Sequence, residues 1–318
     1  MRSRGSLAVV AVVSAVVGAT VALSVTRLES QARRPARVQG KPNFSGIWQS
    51  MNEANWDLQA HDVRAGMVTQ EGANPYEYAR VPAAPVVALG SVGGVPASLG
   101  VVEGDGQIPY KPEALAIKKA NSQNWIDRDP ELKCYLPGTP RAMYLPYPFE
   151  ITQSTNKVHI AFAFTLAART IHLEQVDDPP DDTWMGHSVG HWEGDTLVTD
   201  VSHFNDKAWF DRAGNYHSDA LHLTERLTLM TPDVIRYEVN IEDPKVFTRP
   251  WRIAMPLYRR MDARMQLLEY RCTDLVEEFM YGNLRKTPLV THWEGETMSV
   301  DITRKIPPGD KFYEWFRK

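Results

Sequence analysis

Cysteine is nearly absent from this chain: Cys134 and Cys272 are its only two. One pair without a C-x-x-C spacing excludes a zinc knuckle and dithiol redox catalysis. Two cysteines so far apart can bridge in an oxidising compartment, where closing a loop of that length stabilises by roughly 4–5 kcal/mol, or they can remain as buried free thiols. Runs of like charge are absent as well. The 35 basic and 39 acidic side chains are scattered, with a formal net charge of −4, so there is neither a nucleic-acid stripe nor a polybasic lipid patch. No nucleotide fingerprint occurs either: Gly100-Val101-Val102-Glu103-Gly104 lacks the lysine and the following helix that a P-loop needs. The G-x-S-x-G elbow of a nucleophilic hydrolase is missing too. Small molecules, handled without a cofactor, are the expected partners.

Long apolar runs are confined to the start. Arg2 and Arg4 precede an uncharged Ala/Val-rich stretch from Ser6 to Val25, and a small-x-small site follows at Ser30-Gln31-Ala32. This reads as an export signal over residues 1–32. The run also approaches the ~18–20 apolar residues that span a bilayer, so an uncleaved N-terminal anchor is the alternative. Either reading places the body outside the cytoplasm, periplasmic or secreted, with any membrane attachment made through that helix alone. A basic linker at 33–41 leads into one expected domain, 42–318. Its irregular excursion at about 60–148 includes the Gly/Pro/Ala/Val-rich stretch from Met67 to Pro109, which reads as a lid or mobile loop. Nothing fixes the oligomeric state.

Pro112 at a first-turn position, with Glu113 beside it, predicts a helix to about Trp125. Cys134–Phe149 carries four prolines and three tyrosines and is expected to be an extended loop able to wall a pocket. From Phe149 onward, short alternating segments separated by turn signals predict an antiparallel meander. Expected strands are Pro42–Ser50, Lys157–Phe164, Ala168–Gln175, Ser188–Trp192, Thr196–Phe204, Ala220–Leu229, Val234–Glu242, Trp251–Leu257, Met265–Cys272 and Met298–Thr303. A short helix is expected from Asp274, capped with Glu277. Ile235, Tyr237, Val239 and Ile241 alternate with Arg236, Glu238, Asn240 and Glu242, giving one clean apolar face. Eight to ten such strands can close into a barrel with a ligand-sized interior. The fold class is therefore mainly β, a meander closing into a barrel with short peripheral helices. An internal echo, HWEGDTLVTDVS from His191 and HWEGETMSVDIT from His292, reads as a repeated hairpin in which Gly194 and Gly295 supply positive φ.

The chemistry-bearing side chains concentrate between Trp184 and Arg226. Five of the nine histidines lie there, with Asp200, Asp206, Asp211, Asp219 and Glu225. On a strand beginning near Ala220, Glu225 shares a face with Leu221, Leu223 and Leu227. A carboxylate set among leucines is protonated more readily than one in water and can carry a proton near neutral pH; alternatively Glu225 pairs with Arg226 of a neighbouring turn or Arg169 across the sheet. His222, oriented by Asp219 or Asp211, is the candidate base or acid, with Glu225 as second proton carrier and His217 beside them. Arg141 or Arg169 could clamp a ligand anion, and Tyr144, Tyr147, Trp184 and Trp209 could line an apolar cavity. A metal site from His187, His191, His217 and His222 is disfavoured, since strand positions four apart lie roughly 13 Å from each other. The expected chemistry is cofactor-independent acid–base turnover (lyase, hydratase or isomerase) of an apolar or aromatic molecule. Carriage of a hydrophobic ligand is one alternative and metal-dependent hydrolysis a second.

Two resemblances bear on this. Asn43-Phe44-Ser45-Gly46-Ile47-Trp48 resembles the first-strand Gly-x-Trp of lipocalins, in which the tryptophan closes the barrel bottom beneath a late-strand arginine; Arg271 or Arg304 could be that partner here. PELKCYLPGTPR, TWMGHSVGHWEGDTLV, DRAGNYHSDALHLTER and IEDPKVFTRPW, within about Pro42 to Arg304, resemble an uncharacterised family of exported bacterial proteins. That likeness implies export and a β-rich fold, and no reaction.

Overall fold

The computed structural model describes residues 37–62, 64–65, 94–262, 264–270, 272, 291–294 and 297–300. The chain divides into two compact units, 1–43 and 44–318. In the first, Arg37–Val38 pairs with Lys41–Pro42 across a tight turn. In the second, nine strands close into a barrel. They are β1 (Gly46–Ser50), β2 (Phe149–Gln153), β3 (Lys157–Phe162), β4 (Ala168–His172), β5 (His187–Glu193), β6 (Thr196–Ser202), β7 (His222–Thr231), β8 (Val234–Glu242) and β9 (Trp251–Arg259).

Neighbours in the wall are neighbours in sequence, and β9 returns to β1 to close the ring. This is the lipocalin-like meander that the alternation predicts. One pair departs from it: β4 and β5 run parallel, through Ile171↔Ser188 and His172↔Val189. Parity requires such a departure, because a ring with an odd number of strands cannot be antiparallel throughout. The local cause is the connection at 173–186, LEQVDDPPDDTWMG, which has no two-residue turn and is long enough to carry the chain back to the other end of the wall. Gly190 makes the seam tight, since a Cβ there would sit 2.6 Å from the Ile171 side chain.

Side chains alternate along each strand, so Leu223, Leu227, Ile235, Val239, Ile253 and Leu257 pack inward into one core. Each CH₂ removed from water there contributes about 0.8 kcal/mol. The β5–β6 hairpin turns at Gly194-Asp195, with Gly194 at φ +60°. Its echo, Thr291–Glu294 paired with Thr297–Val300, is a separate two-stranded hairpin that contains the start of the strand expected at Met298–Thr303; residues 301–303 lie outside the described residues. Met265–Tyr270 is not a strand and makes a single bridge, Tyr270 to Phe164. The helix expected from Asp274, the Met67–Pro109 stretch as far as residue 93, and Arg271 and Arg304 lie outside the described residues.

The two ends of the barrel differ. At one end the turns are short. There the Arg259 guanidinium lies 4.1 Å from the centroid of the Trp48 ring, and Trp48 Nε1 donates to the Phe44 carbonyl at 2.7 Å. Arg259 takes the position for which Arg271 or Arg304 was expected, because the β9–β1 register sets Arg259 opposite Trp48. Long connections gather at the other end. The helix α1 (Pro112–Gln123), with Pro at its start and Glu113 in its first turn, lies there and is followed by the short α2 (Trp125–Arg128). Tyr110, just before α1, bridges to Phe247 in the β8–β9 connection. Cys134 and Cys272 form a disulfide across 138 positions of sequence, so of the two states left open for the thiols the bridge is the one adopted.

Candidate functional site

The residues singled out from the sequence fall in four places. Glu225 points into the barrel and is 1% exposed. Its carboxylate is held by Arg169 of β4, with Nη1–Oε1 at 3.1 Å and Nη2–Oε2 at 2.5 Å, and it accepts the Tyr237 hydroxyl of β8. Arg169 comes from three strands away around the wall, so this contact spans the interior. The pairing of Glu225 with Arg169 is one of the two sequence readings. Burial, then the Glu225 charge, raise the Tyr237 phenol well above its ordinary value.

His222 and Asp219 lie elsewhere. Position 222 is three residues from 225 on β7, so His222 faces outward, its side chain 44% exposed and its Nε2 3.6 Å from Asp200. Asp219 is half exposed and pairs with Lys245 at 2.5 Å; that hydrogen bond holds its carboxyl below the ordinary range. Neither reaches Glu225, so the structure does not bring the proposed His–Asp–Glu set together.

Asp211 and His217 belong to a structural knot at the loop-rich end. Asp211 is fully buried and accepts the backbone N–H of Leu58 at 2.9 Å, of Ala213 at 3.0 Å and of Asn215 at 3.2 Å, and the Asn215 amide at 2.6 Å. Burial and the Asp57 carboxylate push it up to about 7 against these donors. His217 Nδ1 donates to the Ser218 carbonyl at 2.9 Å, and burial holds the imidazole below its ordinary value. Gly214, at φ +85°, lets this loop press onto α1: a Cβ would meet Ser122 N at 2.6 Å. Arg141 is buried here on Asp129, at 2.7 and 2.8 Å, with Asn55 at 2.9 Å. Tyr144 donates to the Phe210 carbonyl at 2.9 Å; Tyr147 stacks on Tyr270 at 4.7 Å; Trp209 bridges to Tyr216. These side chains hold the end of the barrel closed.

A fourth place brings together Arg169 and Trp184, both expected at a ligand site, with residues that were not expected there. Where β4 and β5 share only two paired positions, the seam opens into a cavity of about 360 Å³. Its walls include Ala168, Arg169, His172, Trp184, His187 and Ser188. Trp184 is fixed by stacking on Tyr135 at 5.5 Å. At the mouth His172 stacks on His187 at 5.8 Å, and His203 sets its edge to His187 at 6.1 Å. Burial first, then these two imidazoles, lower His187 from its ordinary value. Among the described residues no group of three His, Cys, Asp or Glu side chains is placed to hold a metal ion. The sequence signal for this cavity was the DDPPDD stretch, too long and too proline-rich for a hairpin between two strands.

The fold and this cavity define a lipocalin-like barrel with a side cleft. No family model, curated protein or solved structure matches the chain.

Proposed function

We propose that this protein is an exported binding protein for a small organic molecule, held in the cleft between β4 and the 173–186 crossover. The carrying observation is hydrogen-bond arithmetic. Eight buried side-chain polar atoms among the described residues have no partner, and three of them, Arg169 Nε, His187 Nε2 and Ser188 Oγ, belong to residues lining this one cavity. Buried polar groups are ordinarily satisfied, and a cleft with apolar walls and a few polar side chains is the usual form of a small-molecule site. The Cys134–Cys272 bridge supports an oxidising, extracytoplasmic location, in keeping with the signal-like start and with the resemblance to exported bacterial proteins.

Acid–base turnover of the bound molecule is the second reading. It rests on one observation: Arg169 both lines the cleft and holds Glu225. Mass spectrometry of small molecules copurifying with the exported protein tests the binding reading, together with Ala168→Trp. Ala168 is an exposed wall residue of the cleft, so the indole fills the space without entering the core. Binding lost in this variant, with fold intact, is the expected result; a variant that binds as the parent does overturns the assignment. Conversion of the recovered molecule by the parent, and not by a folded Glu225→Gln protein that still binds it, favours the enzyme.

A further inference from the structure

We infer that the ligand of this cleft is a small aromatic carboxylate. The inference rests on the binding reading above and deepens it. The unpartnered polar atoms of the residues lining the cleft are donors or can act as donors. Arg169 has no acceptor at all; its two terminal nitrogens are committed to Glu225, with Thr139 sharing one of them at 3.4 Å, while Nε keeps a free N–H. Ser188 Oγ donates by rotation, and His187 Nε2 donates when it carries the proton. Among the described residues no aspartate or glutamate lines the cleft, and the acidic charge nearest His187, Asp178, stands outside its wall. A carboxylate supplies about four lone-pair positions on two oxygens, enough for both Arg169 Nε and Ser188 Oγ, which belong to inward positions of the paired strands β4 and β5; His187, next to Ser188 on β5, faces the other side of the wall beside His172.

Because Glu225 engages the guanidinium through its terminal fork, the Nε edge can serve a second carboxylate without breaking the first pair. Glu225 thereby fixes the direction in which Arg169 offers that edge. The rest of the cleft fits a ring. Trp184 presents a face already immobilised by Tyr135, and Leu136 and Met185 add apolar wall. A volume of about 360 Å³ lies at the small end of ligand pockets, ~300–1,000 Å³, which suits an acid with one ring and a short arm and excludes a long-chain lipid.

Isothermal titration of the disulfide-bonded protein separates this inference from the reading beneath it. The probes are benzoate, phenylacetate and 3-phenylpropionate, each matched with its primary amide and amine. At least one acid should bind about tenfold more tightly than its amide, and the amines should not bind. Ser188→Ala, which removes one donor and no bulk from the core, should weaken that acid about tenfold and leave its amide within about threefold, with an unchanged melting midpoint. An amide that binds as tightly as its acid, or an acid indifferent to Ser188→Ala, overturns the carboxylate assignment; the cleft itself then stands if Ala168→Trp still abolishes amide binding. If none of the probes binds and no molecule copurifies, both the ligand class and the binding reading fail.

Discussion

The Arg169 guanidinium holds the Glu225 carboxylate inside the barrel, end to end, from three strands away. The pair joins the cleft to the far wall, and Tyr237 completes the carboxylate. Removing one member leaves a bare charge in a closed core. Glu225→Leu alone should therefore cost about 3–5 kcal/mol of folding stability. Replacing both, as Arg169→Met with Glu225→Leu, should cost much less than the sum of the single losses, because no unpaired charge remains. Urea denaturation of the four proteins of the cycle checks this. A single-variant loss below about 1 kcal/mol, or strictly additive losses, would mean that the pair is not dry.

Arg259 makes a different kind of closure. Besides covering the Trp48 ring, it donates to the Ser45 carbonyl at 2.8 Å and to the Pro232 carbonyl at 3.0 and 3.1 Å, and it meets Asp233 at 3.0 Å. One side chain thus ties β1, the β7–β8 turn and the end of β9. Arg259→Met keeps the aliphatic stem and loses the cation and the donors, so about 2–3 kcal/mol should be lost. Lysine should recover less than half of this, since a single ammonium cannot reproduce the planar fork. Denaturation midpoints followed by tryptophan fluorescence decide it, and an Arg259→Met protein within about 0.5 kcal/mol of the parent would refute the closure.

Much of the fold is written locally, and much of the site is not. Val234–Glu242 and Trp251–Arg259 alternate so regularly that their inward faces can be read directly, and Gly46-Ile47-Trp48 announces the first strand. The arginine over Trp48 cannot be read that way, because it depends on the register between the first and last strands of the ring. The parallel β4–β5 pair is likewise a property of the whole circuit. Glu225 and Arg169 were readable as partners, since each sits on an apolar strand face where an isolated charge is costly. His222 and Asp219 read as neighbours of Glu225, but an odd spacing on β7 turns His222 outward and a surface lysine takes Asp219. Ser188 read as the start of an ordinary strand, and His187 only as part of a disfavoured metal set. What sets them apart is the gap left by a long crossover, whose only local sign is the proline-rich length of DDPPDD.

The stability of the barrel also depends on pH. His217 is buried against the Phe204 and Phe210 rings, and desolvation keeps its folded-state pKa below 6.5. On lowering the pH through about 6.5, the unfolded chain takes up a proton that the folded chain refuses, so stability present above that pH is lost below it. The loss grows by up to about 1.4 kcal/mol per pH unit until the buried ring itself protonates. Asp211 acts in the opposite sense. Pushed from 3.8 up to about 7, it holds a proton in the fold that the unfolded chain has released, so its contribution falls as the pH rises from about 4 to 7. The net slope of the parent is a difference of these two and identifies neither. His217→Asn isolates the histidine, because its amide can still donate to the Ser218 carbonyl while titrating nothing. Parent stability minus His217→Asn stability, measured in urea at pH 7.5, 6.5, 5.5 and 4.5, should decline steadily below about 6.5. A difference that stays flat, or rises on acidification, would mean that the imidazole gains its proton inside the fold.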